Sequence, residues 1–156
     1  MVEKVVKKLI LLNKSVSTME SCTGGAIANA ITNIPDASMV FSFSAVTYAN
    51  EYKIKMGVDK NVIEKYSVYS IETAKEMSKA IAKYSSSSYG IGITGKLNKQ
   101  DEKNPYGSDN IVYISIYDKE NDKFYNKEVT VLYTNRIKNK KMVLNEVFSL
   151  MYGIIK

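Results

Sequence analysis

Histidine is absent from the 156 residues, and that absence removes more chemistry than any other feature of the composition. Without imidazole there is no Ser-His-Asp triad, no Cys-His pair, no imidazole proton shuttle and no His-ligated zinc. Acid–base catalysis in this chain would have to run through Lys, Tyr, Asp, Glu or water. A single cysteine, Cys22, excludes an internal disulfide and a Cys-rich metal framework. Long apolar runs are also missing: LILL at 9–12 is typical, and no stretch could span a bilayer. The N-terminus, MVEKVVKKLILLNKS, starts basic and turns apolar in the manner of a secretion signal. However, Val2, Val5, Val6, Leu9, Ile10 and Leu12 recur at helical spacing with lysines between them. That pattern predicts an amphipathic helix over 2–14, and a cytoplasmic location is expected.

What is present describes a globular chain. Hydrophobic residues make up 45% and charged residues 24%, and the length suits one domain, 1–156, with a full core. The net charge of +6 suits an anionic partner such as a nucleotide or phosphorylated metabolite. The lysines are scattered, acidic residues accompany them, and aromatic and basic residues form no motif. A nucleic-acid surface is therefore disfavoured.

Helical and strand patterns alternate along the first two-thirds of the chain. A strand is expected at 16–19, then a helix in AIANAITNIP with Ile27, Ala30 and Ile31 on one face and Pro35 ending it. The β-formers of MVFSFSAVTYA, 39–49, predict a strand. Two short helices follow, with Asn50 and Asp59 as N-caps. SIETAKEMSKAIAKYS has a capping signature at Ser70 and an inward face of Ala74, Met77, Ile81 and Ala82. Strands are predicted at 88–94, 111–118 and 123–133, the last two as a hairpin. The terminal helix turns Met142, Val143, Val147, Leu150 and Met151 inward. The order implies a three-layer α/β/α sandwich with a mixed, mostly parallel sheet. The one long irregular stretch is KLNKQDEKNPYGSDN, 96–110, and loops of that length in compact domains are commonly functional.

STMESCTGG, 17–25, is the stretch richest in chemistry. At a strand–turn–helix junction the backbone N–H groups of the helix N-terminus are unpaired and can hold an anion or an oxyanion. Gly24 and Gly25 permit a tight turn. Ser21 and Cys22 compete as nucleophile, and with no histidine the usual activator of a serine is lysine. A capped helix start and an active-site turn are both consistent with these residues. In VTYANEYK, 46–53, a strand end passes into a helix, which gathers Tyr48, Asn50, Glu51 and Lys53 at one end of the sheet. Strand 88–94 ends at Thr94-Gly95, and parallel strands place such ends on one edge, where α/β folds bind ligands.

ESCTGG at 20–25, VTYANEYK at 46–53, YSIETAKEM at 69–77 and GITG at 92–95 together resemble, in order and spacing, the CinA C-terminal domain family of nicotinamide-nucleotide amidase (NMN deamidase, PncC) type. The similarity runs from the first helix to the last. The resemblance implies a three-layer α/β/α domain that converts nicotinamide mononucleotide to nicotinate mononucleotide and ammonia, with no cofactor and no metal. It implies Ser21 as nucleophile, Lys53 as base and Tyr48 as the hydrogen-bonding partner of Lys53. Thr23, Gly24 and Gly25 would supply turn geometry and backbone donors. Asn50, Glu51, Thr94 and Gly95 would contribute to substrate binding, and Arg136 would contact the phosphate. Homo-oligomers, a dimer in the first instance, are implied as well. Many relatives carry the module behind a molybdopterin-binding-like domain, whose activity is not assigned to this chain. The third motif departs from the family pattern: TGKLNKQDEK stands where members usually read TGIAGP and a glycine-rich loop, and Ser67-Val68-Tyr69-Ser70 stands where they read GAVS. Lys96 and Lys99 would then substitute as point charges for the lost backbone amides. A catalytically degenerate, nucleotide- or protein-binding member is the alternative that this departure raises.

Overall fold

The computed structural model describes residues 1–156. In chain order the elements are α1 (Val2–Leu11), β1 (Val16–Glu20), α2 (Ala26–Thr32), a 3-10 turn (Ala37–Met39), β2 (Ser44–Val46), α3 (Asn50–Lys55), α4 (Lys60–Tyr66), α5 (Ile71–Ser85), β3 (Tyr89–Gly95), β4 (Ile111–Asp118), β5 (Lys123–Thr130) and α6 (Arg136–Ile154). The five strands form one sheet in the order β2-β1-β3-β4-β5. β1 pairs in parallel with β2 and β3, whereas β3–β4 and β4–β5 are antiparallel. Four strands thus point one way and β4 alone runs back, so the sheet is mixed and mostly parallel in direction.

The strand pattern explains the layers. In β3, YGIGITG, side chains alternate between faces. Ile91 and Ile93 enter a core shared with Val5, Val6 and Leu9 of α1, Ile27 and Ile31 of α2, and Val143, Val147, Phe148 and Met151 of α6. Each such side chain removed from water contributes about 2 kcal/mol. Gly90 and Gly92 lie on the other face, under α5. A Cβ at Gly92 would stand 2.3 Å from the Ala74 carbonyl oxygen, so the missing side chain sets how closely the helix backbone meets the sheet. Met19 of β1, Met77 and Ile81 of α5, and Val58 form the smaller core on that side. No helix is long and apolar enough to cross a membrane.

Most predicted elements stand where periodicity placed them. Ser70 caps α5 by accepting from the Thr73 N–H at 3.1 Å, and Asp59 caps α4 by accepting from the Asn61 N–H at 2.9 Å. Three readings need correction. The strand expected over 39–49 shrinks to Ser44–Val46. Residues 37–39 wind into the 3-10 turn after Asp36 (φ 64°), and the chain first meets β1 through a single bond from the Val16 N–H to Val40 O at 2.8 Å. Asn50 is not a cap: Ala49 holds that position without a side-chain bond, and the Asn50 amide instead donates to Asn104 Oδ1 at 3.4 Å. In α6, Met142 and Leu150 are only half-buried, and Phe148, Asn139 and Ile154 join Val143, Val147 and Met151 on the inner face.

Candidate active site

The parallel register of β2, β1 and β3 brings their carboxyl ends to one edge: Glu20 pairs with Val46 on one side and with Ile93 on the other. Ser21 extends β1 by one residue, its N–H donating to Ile93 O at 3.1 Å. The chain then turns through Gly24 (φ 62°) and Gly25 (φ 95°), both in the left-handed region where glycine carries no steric cost.

Glu20 organises this turn. Fully buried, its carboxylate accepts from the Thr23 hydroxyl at 2.7 Å and from the backbone N–H groups of Ile27 (3.0 Å) and Ala28 (2.9 Å). The expectation that the α2 N-terminus faces a ligand is therefore corrected, because the chain's own carboxylate already occupies it. Thr23 is a buried strut of the turn, and neither Gly24 nor Gly25 lines the cleft beside Ser21.

Lys53 reaches in from α3 and is 1% exposed. Its Nζ donates to Thr47 O at 2.7 Å, Ser21 Oγ at 3.1 Å and Tyr48 O at 3.3 Å. All three ammonium protons are thereby matched by neutral oxygens, and no carboxylate pairs with it. Burial lowers its pKa to about 8, only partly opposed by the neighbouring Cys22 thiol. Burial pushes Cys22 the other way, to about 12, so the thiol is protonated at neutral pH. Tyr48 touches Lys53 through its main-chain carbonyl rather than its phenol. Its ring stands two-thirds exposed at the mouth of the cleft, because the carbonyls of the bend after β2 fill the positions around Nζ.

Ser21 and Lys53 open into a cleft of about 550 Å³ whose walls also include Cys22, Tyr48, Asn50, Gly95 and Arg136. Arg136 is the exposed first residue of α6. Thr94 is turned away: its hydroxyl donates to Val68 O at 2.9 Å and ties β3 to the segment before α5. Glu51 is exposed outside the cleft and pairs with Lys55 at 3.7 Å. Gly95 is required for packing, since a Cβ there would lie 2.5 Å from Ile111 O.

The loop over 96–110 supplies much of the remaining wall, through Lys96, Lys99, Gln100, Asp101, Lys103 and Asn104. Tyr69 donates its hydroxyl to Asp101, which holds Asp101's carboxyl below the usual carboxylate pKa, while burial and that carboxylate push the phenol pKa up. Asn104 donates to Asp101 Oδ2 at 3.1 Å and accepts from Asn50. Residue-type reasoning missed Tyr69, Asp101 and Asn104 as parts of the site. Only the length and polarity of the loop over 96–110 marked Asp101 and Asn104, and Tyr69 precedes α5. The cleft wall holds five cations, Lys53, Lys96, Lys99, Lys103 and Arg136, against the carboxylate of Asp101.

The three-layer α/β/α architecture that carries these residues is also what comparison with known proteins returns. The family profile for the CinA C-terminal domain matches residues 1–155, and the chain belongs to that family. Among curated relatives, a putative competence-damage inducible protein from Clostridium perfringens (strain SM101 / Type A) is 50% identical over 95 residues, 60% of this chain and 23% of that one. A CinA-like protein from Endomicrobium trichonymphae is 44% identical over 119 residues, 74% of this chain and 27% of that one. The chain thus spans about a quarter of the length of these relatives. Among solved structures, a CinA superfamily protein from Klebsiella pneumoniae superposes with a TM-score of 0.88 at 20% identity, covering 99% of this chain and 94% of that one. The competence/damage inducible protein CihA from Agrobacterium tumefaciens does so with a TM-score of 0.78 at 26% identity, covering 96% and 94%.

Proposed function

We propose that this domain is an amidohydrolase that deamidates nicotinamide mononucleotide to nicotinate mononucleotide and ammonia, with Ser21 as nucleophile and Lys53 as base. The observation that carries this reading is the 3.1 Å hydrogen bond between Lys53 Nζ and Ser21 Oγ, made by a lysine whose pKa burial has lowered to about 8. About one molecule in ten then holds a neutral amine at pH 7, which can take the Ser21 proton as Oγ attacks the carboxamide carbon. The resulting ammonium returns a proton to the departing amine, ammonia leaves, and water resolves the ester by the same route in reverse. Cys22, next in the chain to the nucleophile, lines the cleft, and its N–H donates to no oxygen within the protein. It is the donor best placed for the tetrahedral oxyanion. Tyr48 and Tyr69 offer aromatic surface for a ring, and the cationic wall suits a phosphate.

A second reading is a nucleotide-binding member without turnover. It is supported by the loop over 96–110, where Asn104 reaches Asn50 from the opposite wall, and by the two carbonyls on Lys53 that favour its charged form. Incubation with nicotinamide mononucleotide, with the product identified by mass, separates the two. Conversion to the acid with ammonia release supports the amidase. Thermal stabilisation by the nucleotide without conversion supports the binding module.

A further inference from the structure

Lys96 is the second buried lysine of the cleft, and its bonding is unlike that of Lys53. Its side chain is 1% exposed, yet Nζ makes a single hydrogen bond within the chain, to Asp109 Oδ1 at 3.2 Å. The face of the Tyr69 ring lies 5.0 Å away. An ammonium carries three donors, so two remain unmatched in a wall of the cleft, where burial makes an unmatched charge costly. The one partner is itself half-exposed, at 50%, and sits where the loop rejoins β4.

The position is also held from below. Asn139 of α6, fully buried, donates to Leu97 O at 3.4 Å and Tyr133 O at 2.6 Å and accepts from the Tyr133 N–H at 3.0 Å. One side-chain amide thus joins the segment after Lys96 to the segment before Arg136. The backbone beside Lys96 is thus tied to the inner face of α6 before any ligand arrives, which is how a site avoids ordering costs on binding.

We propose that Lys96 is the specificity-determining residue for a phosphate group on the ligand, and that Asp109 is an internal stand-in which the phosphate displaces. The substrate half of this inference rests on the amidase reading above; the anion site itself does not. Release of Asp109 would leave its carboxylate in solvent and give Lys96 a doubly charged partner able to fill the free donors.

The test is titration of inorganic phosphate into the whole chain by calorimetry at low ionic strength, with Lys96→Met, Asp109→Asn and, as a surface control, Lys7→Met. Saturable binding is expected, weakened about tenfold or more by Lys96→Met, tightened severalfold by Asp109→Asn and unmoved by Lys7→Met. No saturable binding, binding indifferent to Lys96→Met, or binding weakened by Asp109→Asn would each overturn the proposal. Asp109→Asn is a near-isosteric change at a half-exposed residue, so it keeps the test open if Lys96→Met does not fold. Nicotinamide mononucleotide should compete with phosphate, whereas its dephosphorylated nucleoside should not; simultaneous binding of mononucleotide and phosphate overturns the substrate assignment. Phosphate binding with this mutational pattern but no amide turnover would retain the anion site and sink the amidase reading. Turnover with phosphate binding indifferent to Lys96→Met would do the reverse.

Discussion

Lys53 Nζ lies 3.1 Å from Ser21 Oγ, across 32 residues of sequence, and neither side chain touches a carboxylate. A buried ammonium paired only with neutral oxygens is the arrangement in which desolvation dominates, and it yields an amine that can be deprotonated near physiological pH. The first prediction concerns that proton. If Lys53 acts as base in its neutral form, kcat/KM for amide hydrolysis should rise about tenfold per pH unit below about 8 and level off above it. A profile flat between pH 6 and 9 would remove Lys53 from the base role.

Stability should carry the same signature. The folded pKa of Lys53, about 8, lies below its ordinary value of 10.5, so between these values the unfolded chain binds the extra proton. Stability therefore rises with pH through this window, and the full penalty, about 3 kcal/mol, applies below pH 8. The test belongs between pH 8 and 10. Above that range the raised phenols of Tyr69 and Tyr117 act with the opposite sign, because the unfolded chain loses their protons first. Urea unfolding at pH 7.5, 8.5 and 9.5 should show the rise in the wild type and a flatter dependence in Lys53→Met.

Glu20 ought to be among the most sensitive positions in the chain. Glu20→Ala would strand the Ile27 and Ala28 N–H groups and the Thr23 hydroxyl in the interior, costing about 3 kcal/mol. Glu20→Gln keeps one acceptor oxygen and should cost less. Denaturation midpoints of the two variants, at unchanged m-value, measure the difference. Equal and small effects would mean that the turn does not depend on this carboxylate.

Gly92→Ala tests the packing of α5 on the sheet. The added methyl would meet the Ala74 carbonyl oxygen at 2.3 Å and the Ser78 nitrogen at 2.6 Å. Backbone cannot yield as a flexible side chain does, so a loss of about 3 kcal/mol or more is expected. A thermal melt within a degree of the wild type would show that the helix can move away freely.

The fold was legible wherever one face of an element is apolar at a regular period, as in α1, α5 and β4. It was not legible in 39–49, where β-forming residues suggested a long strand but local turns at Asp36 and Ala37–Met39 left three paired residues. Ser21 and Lys53 were readable as candidates by chemistry and resemblance, and the parallel register explains why they meet. The partners of Lys53 were less accessible. That Tyr48 bonds through its carbonyl, while its ring faces solvent, depends on a bend that residue type does not encode. Glu20 hid in plain view, because its acceptors serve amides seven and eight residues ahead in a helix that supplies no capping side chain of its own. Thr94 and Glu51 carry polar groups suited to a ligand, but one is spent on Val68 and the other faces out.

Ammonia release from nicotinamide mononucleotide by the wild type and by Ser21→Ala, each shown to be folded by its melting transition, tests the central claim most directly. The account predicts turnover in the wild type and a loss of about a thousandfold or more in Ser21→Ala, the scale expected when a nucleophile is removed. Comparable turnover in both proteins, or none in a folded wild type, would contradict it.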